Sequence, residues 1–175
     1  MKLKHVIATL GLALPCAWAT AQPGLALTVG SGSDADTYGV SLTTNRGFYK
    51  TELGNKWLVY AHIETGVSNV DGKKSGANKG VVIAGVTPVV RIVPKGSPGY
   101  LEAGIGLNYF SEKTINAEKY VGTHFEFGDF IGFGFSFGER QQAEIGYRFL
   151  HYSNAGISKH NPGLDFHQVR LSYSF

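Results

Sequence analysis

The sequence predicts an all-β fold, an eight-stranded antiparallel transmembrane β-barrel spanning residues 22–175. Three observations predict it. Long segments alternate between one large apolar face and one face of glycine and charge. Turn signals divide the chain into eight such segments, with twenty-four glycines and twenty Phe and Tyr residues (11 + 9) and almost no helix-favouring apolar pattern. The last segment ends on Phe175 after an aromatic–apolar alternation.

Residues 1–21 read as a secretory signal peptide. Lys2 and Lys4 form the basic start, Val6 to Ala17 the apolar middle, and Ala19-Thr20-Ala21 the small residues before a cut ahead of Gln22. The apolar run is too short for a transmembrane helix, and no second run of about 20 apolar residues follows. Cys16 falls inside this leader behind Pro15, which argues against lipoprotein acylation, and leaves a mature chain without cysteine. Removing Lys2 and Lys4 leaves fourteen basic against thirteen acidic residues, a net charge of +1. There is no basic block for nucleic acid.

The strands are expected near 24–31, 37–44, 56–69, 79–93, 99–110, 123–137, 140–153 and 164–175. Turn residues bound the first, second and fourth. In the third, Trp57, Val59, Ala61 and Ile63 alternate with Lys56, Tyr60, His62 and Glu64. In the fifth, Leu101, Ala103, Ile105, Leu107 and Tyr109 alternate with Glu102, Gly104, Gly106 and Asn108. In the sixth, Phe125, Phe127, Ile131, Phe133, Phe135 and Phe137 alternate with Glu126, Gly128, Gly132, Gly134 and Ser136, with Phe130 as the large exception. The seventh sets Ala143, Ile145, Tyr147 and Phe149 on one side. The eighth alternates Val169, Leu171, Tyr173 and Phe175 with Gln168, Arg170, Ser172 and Ser174.

The sense of this alternation places the apolar face in lipid. A barrel of eight strands has a narrow interior, which small and polar side chains fit better than large apolar ones. Glu64, Glu102, Glu126, Glu144, Arg148 and Arg170 are expected to pair there. A closed barrel also satisfies the backbone groups that lipid cannot. With both termini periplasmic, connections 32–36, 70–78, 111–122 and 154–163 face outward. Those near 94–98 and 138–139 are short inner turns, and 45–55 is long for one.

His151 and Ser153 share a strand face with Ala143, Ile145, Tyr147 and Phe149. They are therefore expected on the lipid side, near the outer apolar–polar boundary, where polar residues cost least. Serine needs a base within hydrogen-bond reach, and a neutral imidazole can serve. A carboxylate should hold that imidazole in its working tautomer. Asp165, opening the neighbouring eighth strand with the same outward parity, is the candidate. Asn154, Gly156 and Asn161 lie in the connecting loop, where amide or backbone N–H groups could receive an oxyanion. A His and a Ser at a barrel rim can also simply sit among headgroups.

The run His151-Tyr152-Ser153-Asn154-Ala155-Gly156, followed by Asn161, Gly163 and Asp165, resembles the C-terminal signature of the outer-membrane lipid A 3-O-deacylases (the PagL family). The likeness extends loosely to Glu102-Ala103-Gly104-Ile105-Gly106 and to the stretch from Phe125 to Gly134. It implies an outer-membrane enzyme of a Gram-negative bacterium that hydrolyses the 3-O-linked acyl ester of lipid A and releases a 3-hydroxy fatty acid. By the same likeness Ser153 is the nucleophile, His151 the general base, and Asp165 the acidic member, where the best-known pattern has the longer glutamate. Asn161 matches a loop asparagine associated with the oxyanion site. The resemblance implies no metal and no organic cofactor; His124, His160 and His167 form no familiar ligand spacing. The partners it implies are lipopolysaccharide and, through the Phe175 ending, the barrel assembly machinery; a homodimer is left open.

Two other functions fit a small barrel. A lipid A acyltransferase would be expected to carry an amphipathic helix before the first strand, where only Gln22 and Pro23 stand. A non-enzymatic adhesin or structural barrel would be expected to concentrate its distinctive residues in long outer loops, which here are modest.

Overall fold

A computed structural model describes residues 23–44, 47 and 49–175; the leader expected over 1–21 lies outside the described residues. The strands are β1 (Gly24–Ser31), β2 (Ala35–Thr43), β3 (Tyr49–Leu53), β4 (Trp57–Gly72), β5 (Val81–Pro94), β6 (Gly99–Phe110), β7 (Phe125–Phe137), β8 (Ala143–Ser153) and β9 (Leu164–Ser174). All pair antiparallel. β1 joins β9, and β2 joins β4, which closes an eight-stranded barrel of β1, β2 and β4–β9.

The ninth strand explains the long 45–55 connection. It was expected to be an inner turn, but it contains β3. Thr43 of β2 pairs with Glu64 of β4, and Tyr49 of β3 pairs with Ala61 of the same strand. β3 therefore resumes the line of β2 after a break and extends the β4 hairpin below the start of β1. Its five residues, Tyr49–Leu53, carry too short an alternation to stand out from a turn.

The outer wall is apolar. Val29, Leu101, Ile105 and Ile131 are each at least 60% exposed, as the lipid-facing reading requires. The wall's inner side carries the charge. Arg91 binds Glu102 (2.9 Å) and Glu144 (2.6 Å), Arg148 binds Glu102 (2.7 Å) and Glu64 (2.7 Å), and Arg170 binds Glu64 (2.8 Å) and Glu144 (3.4 Å). These contacts form a closed ring of alternating charge with zero net charge. Burying any one of these groups alone would be costly, so each is matched twice. Glu126, expected among them, instead accepts from Thr123 N (2.9 Å) and Thr123 Oγ1 (3.1 Å). It lies toward the outer end of β7, too far along the strand to join the ring.

The outer half of the interior departs from the small-and-polar expectation. Phe110, Ile115, Val121, Tyr152, Leu164 and Phe166 form a buried apolar cluster. Ile115 and Val121 come from the β6–β7 connection, which folds back over the barrel mouth through a Thr114–Tyr120 bridge. Phe130 faces inward because Gly104 opposite leaves room: a Cβ there would lie 2.7 Å from the Phe130 ring. Arg148 stacks over that ring at 4.0 Å.

Candidate active site

The site grows out of the β8–β9 hairpin. In that ladder His151 is directly opposite Asp165. Their side chains meet outside the barrel, with Nδ1 of His151 2.6 Å from Oδ1 of Asp165 and both side chains more than a third exposed. The shorter aspartate therefore spans the contact without help, because the register sets the two backbones face to face. With a carboxylate on Nδ1, that nitrogen carries the proton and Nε2 is left as the basic one. Ser153 lies two residues further along β8 on the same face, about 7 Å away by strand rise. Neither its hydroxyl nor Nε2 of His151 has another partner among the described residues.

Gly163 completes the imidazole's surroundings. It sits at φ +65°, and a Cβ there would lie 2.5 Å from Cε1 of His151. Any other residue would press on the ring. The sequence places Gly163 in the shared motif, but only the fold shows that it faces the imidazole.

The connecting loop is organised by Asn154, which is fully buried. Its backbone N–H donates to Oδ1 of Asn161 (2.9 Å), and its Nδ2 donates to the carbonyl of His160 (2.9 Å). Its Oδ1 accepts from the N–H groups of Gly156 (3.1 Å) and Ser158 (3.4 Å). Asn154 and Gly156, expected as oxyanion donors, are thus committed to holding the loop in this conformation. Of the three residues expected as donors, only Asn161 keeps a free side-chain amide among the described residues: it is exposed, and its Nδ2 has no partner there. The β6–β7 connection braces this loop. Tyr120 stacks on His160 at 3.5 Å between ring centroids, Lys119 donates to the carbonyl of Pro162, and Gly122 leaves only enough space for the His160 carbonyl.

A second carboxylate neighbours His151, one that the alternation of β7 does not single out. Asp129 of β7 is directly opposite His151 on the other side, half-buried, and outward by parity between Phe127 and Ile131. Its side chain has no partner among the described residues. An acid interrupting the run of outward aromatics in β7 was the available signal.

A histidine oriented by a carboxylate, with its other nitrogen open on the same outer face as a serine, is the arrangement a general base requires. The profile of the family "Lipid A 3-O-deacylase (PagL)" matches residues 36–174. The chain is 36% identical to the lipid A deacylase PagL of Bordetella bronchiseptica, over 99% of this chain and 97% of that one. It is 27% identical to the lipid A deacylase PagL of Pseudomonas aeruginosa, over 79% and 78% of the two chains. The crystal structure of the outer membrane enzyme PagL superposes with a TM-score of 0.74 at 22% identity, covering 87% of this chain and 99% of that one, and shares the barrel fold.

Proposed function

This chain belongs to the PagL family of lipid A 3-O-deacylases, ester hydrolases of the outer membrane, and we propose that Ser153, His151 and Asp165 are its catalytic groups. The observation that carries this reading is the 2.6 Å contact of Asp165 with His151 on the outer face of the wall, beside a serine whose hydroxyl has no partner among the described residues.

Lipid A reaches the wall by lateral diffusion in the outer leaflet. Ser153 Oγ attacks the carbonyl carbon of the 3-O-acyl ester while Nε2 of His151 takes its proton. Asp165 holds the Nδ1–H tautomer and stabilises the imidazolium that forms. Nδ2 of Asn161 donates to the developing oxyanion, and Asn154 keeps that loop in shape. Collapse of the tetrahedral intermediate passes the proton from His151 to the sugar oxygen and leaves an acyl-serine. Water, deprotonated by His151, then releases a 3-hydroxy fatty acid and restores Ser153. Asp129 leaves acceptor oxygens beside the imidazole for a hydroxyl or amide N–H of the lipid.

Residues 1–21 serve in this reading as the cleaved leader, with 22–175 as the barrel, and the Phe175 ending as the signal read by the assembly machinery. The proposed groups all come from one chain, so a homodimer is not required for the chemistry. Ser153→Ala is expected to keep the folded barrel and abolish loss of one acyl chain from lipid A, read by mass spectrometry of extracted lipid A. Undiminished deacylation in that variant would remove Ser153 from the mechanism.

A further inference from the structure

The second half of an esterase cycle needs a water, and this site faces hydrocarbon. Lipid A brings its own ester to Ser153, but the hydrolytic water must be held against Nε2 of His151 on a wall that excludes water. Ser153 cannot hold it, because its Oγ is then esterified. Asp165 is engaged by the other ring nitrogen, Nδ1. Nδ2 of Asn161 is a donor and is turned to the oxyanion. An acceptor is therefore required near the imidazole.

Asp129 supplies one. It is directly opposite His151 in the β7–β8 ladder, as Asp165 is in the β8–β9 ladder. The imidazole thus stands between two outward carboxylates, one on each neighbouring strand. Directly opposed outward side chains start about 5 Å apart at Cβ, so a carboxylate and an imidazole there can share one bridging water. The side chain of Asp129 is half-buried and has no partner among the described residues. On the same face, Phe127 and the exposed Phe125 lie beyond it toward the outer rim, and the exposed Ile131 lies below it. A carboxylate without a protein partner inside such an apolar band is expensive, and marks function rather than folding. It also draws water to a place where hydrocarbon would otherwise leave none.

We propose that Asp129 holds the water that hydrolyses the acyl-serine, an assignment that rests on Ser153 being the nucleophile. The water donates one O–H to the Asp129 carboxylate and the other to Nε2 of His151. As its oxygen bonds to the acyl carbonyl carbon, the second proton passes to Nε2. The tetrahedral intermediate then collapses, the bond from that carbon to Oγ breaks, and Nε2 returns the proton to Oγ. The fatty acid leaves with the water's oxygen and its remaining hydrogen. Attack of Ser153 on the lipid ester uses no water, so Asp129 acts through this role on the second step alone. A carboxylate offers about four acceptor sites, so the water fits beside a donor of the lipid.

The test separates the two steps. Asp129→Leu removes the acceptor. Mixed with lipid A in detergent micelles, it is expected to release a burst of about one equivalent of 3-O-deacylated lipid A per chain. Steady turnover should then run about 10²-fold slower than in wild type, the lower end of what a positioned proton transfer contributes. Acid-quenched protein should carry the mass of one acyl chain on the peptide containing Ser153, with little in wild type. Hydroxylamine, which attacks an ester without a general base, should restore turnover and release the hydroxamate. Asp129→Glu, which keeps the carboxylate, should recover most of kcat. An unchanged kcat in Asp129→Leu would overturn the assignment. So would slow turnover without burst or adduct, because the loss would then lie in lipid binding or in the first step. If Asp129→Leu does not fold, Asp129→Asn decides by the same criterion. Activity surviving in Ser153→Ala would instead overturn the nucleophile reading, which separates the two failures.

Discussion

On the inner face of β8, Glu144 and Arg148 each hold two partners of opposite charge. On the outer face of the same strand, His151 holds one, and Ser153 holds none among the described residues. Both faces carry polar chemistry, but the inner network closes on itself and is neutral, and the donor it leaves unpaired among the described residues, Nε of Arg170, is buried away from the lipid. The outer one is open at Nε2 and Oγ, where the lipid arrives. A polar group in a barrel wall thus supports the fold when its bonding is complete, and serves chemistry when one position is left vacant beside the substrate.

The sharpest break of that contrast is Asp165→Asn. An asparagine at this place can accept from Nδ1 but loses the charge that stabilises the imidazolium and can favour the wrong tautomer. Deacylation is expected to fall about 10³- to 10⁴-fold, measured on purified protein, while the folded barrel still migrates as the compact form on unheated gels. Arg148→Ala should do the reverse. It leaves Glu64 and Glu102 each short of a partner in the lumen and should destabilise the barrel by about 3–5 kcal/mol, measured by denaturant unfolding in micelles. Residual folded protein should deacylate at near the normal rate. Full stability of Arg148→Ala would show that the ring is dispensable.

Smaller effects come from the glycines that frame the site. Gly163→Ala adds a Cβ at φ +65° and 2.5 Å from the His151 ring, and Gly122→Ala adds one 2.0 Å from the His160 carbonyl. Both should lower kcat, on the order of ten-fold, with the barrel intact, because sub-ångström displacement of catalytic groups is costly. Equal kcat in both variants would mean that the loop tolerates the shift.

The smallest effect lies furthest from the site. Asp34, in the first outer connection, bonds Lys74 at 2.9 Å, and that contact holds its carboxyl below the usual carboxylate range. A depressed folded pKa contributes stability above the unfolded value, near 4, that is lost as pH falls through the folded one. Outer-loop proteolysis should therefore rise only in strongly acid solution, and Asp34→Asn should weaken that dependence, leaving the part carried by Asp36, which Lys73 binds in the same way.

Much of this was readable from residue order, because strand parity is a local property. The alternation in β6, β7 and β9 determined which face meets lipid. The same alternation put His151, Ser153 and Asp165 outside. Spacing in one hairpin then sufficed to bring the last carboxylate beside the imidazole. Other features depend on strands distant in the chain. The ring of Arg91, Glu102, Arg148, Glu64, Arg170 and Glu144 closes only through the shear of the whole barrel, and Glu126 drops out of it for the same reason. Asn154 reads as a donor from sequence because nothing local shows that it is buried. Asp129 becomes a neighbour of His151 only through the β7–β8 register, and β3 becomes a strand only because β4 runs on beyond β2. Periodicity belongs to a single strand and survives without the rest of the molecule, whereas a contact needs the register and closure that eight strands settle together.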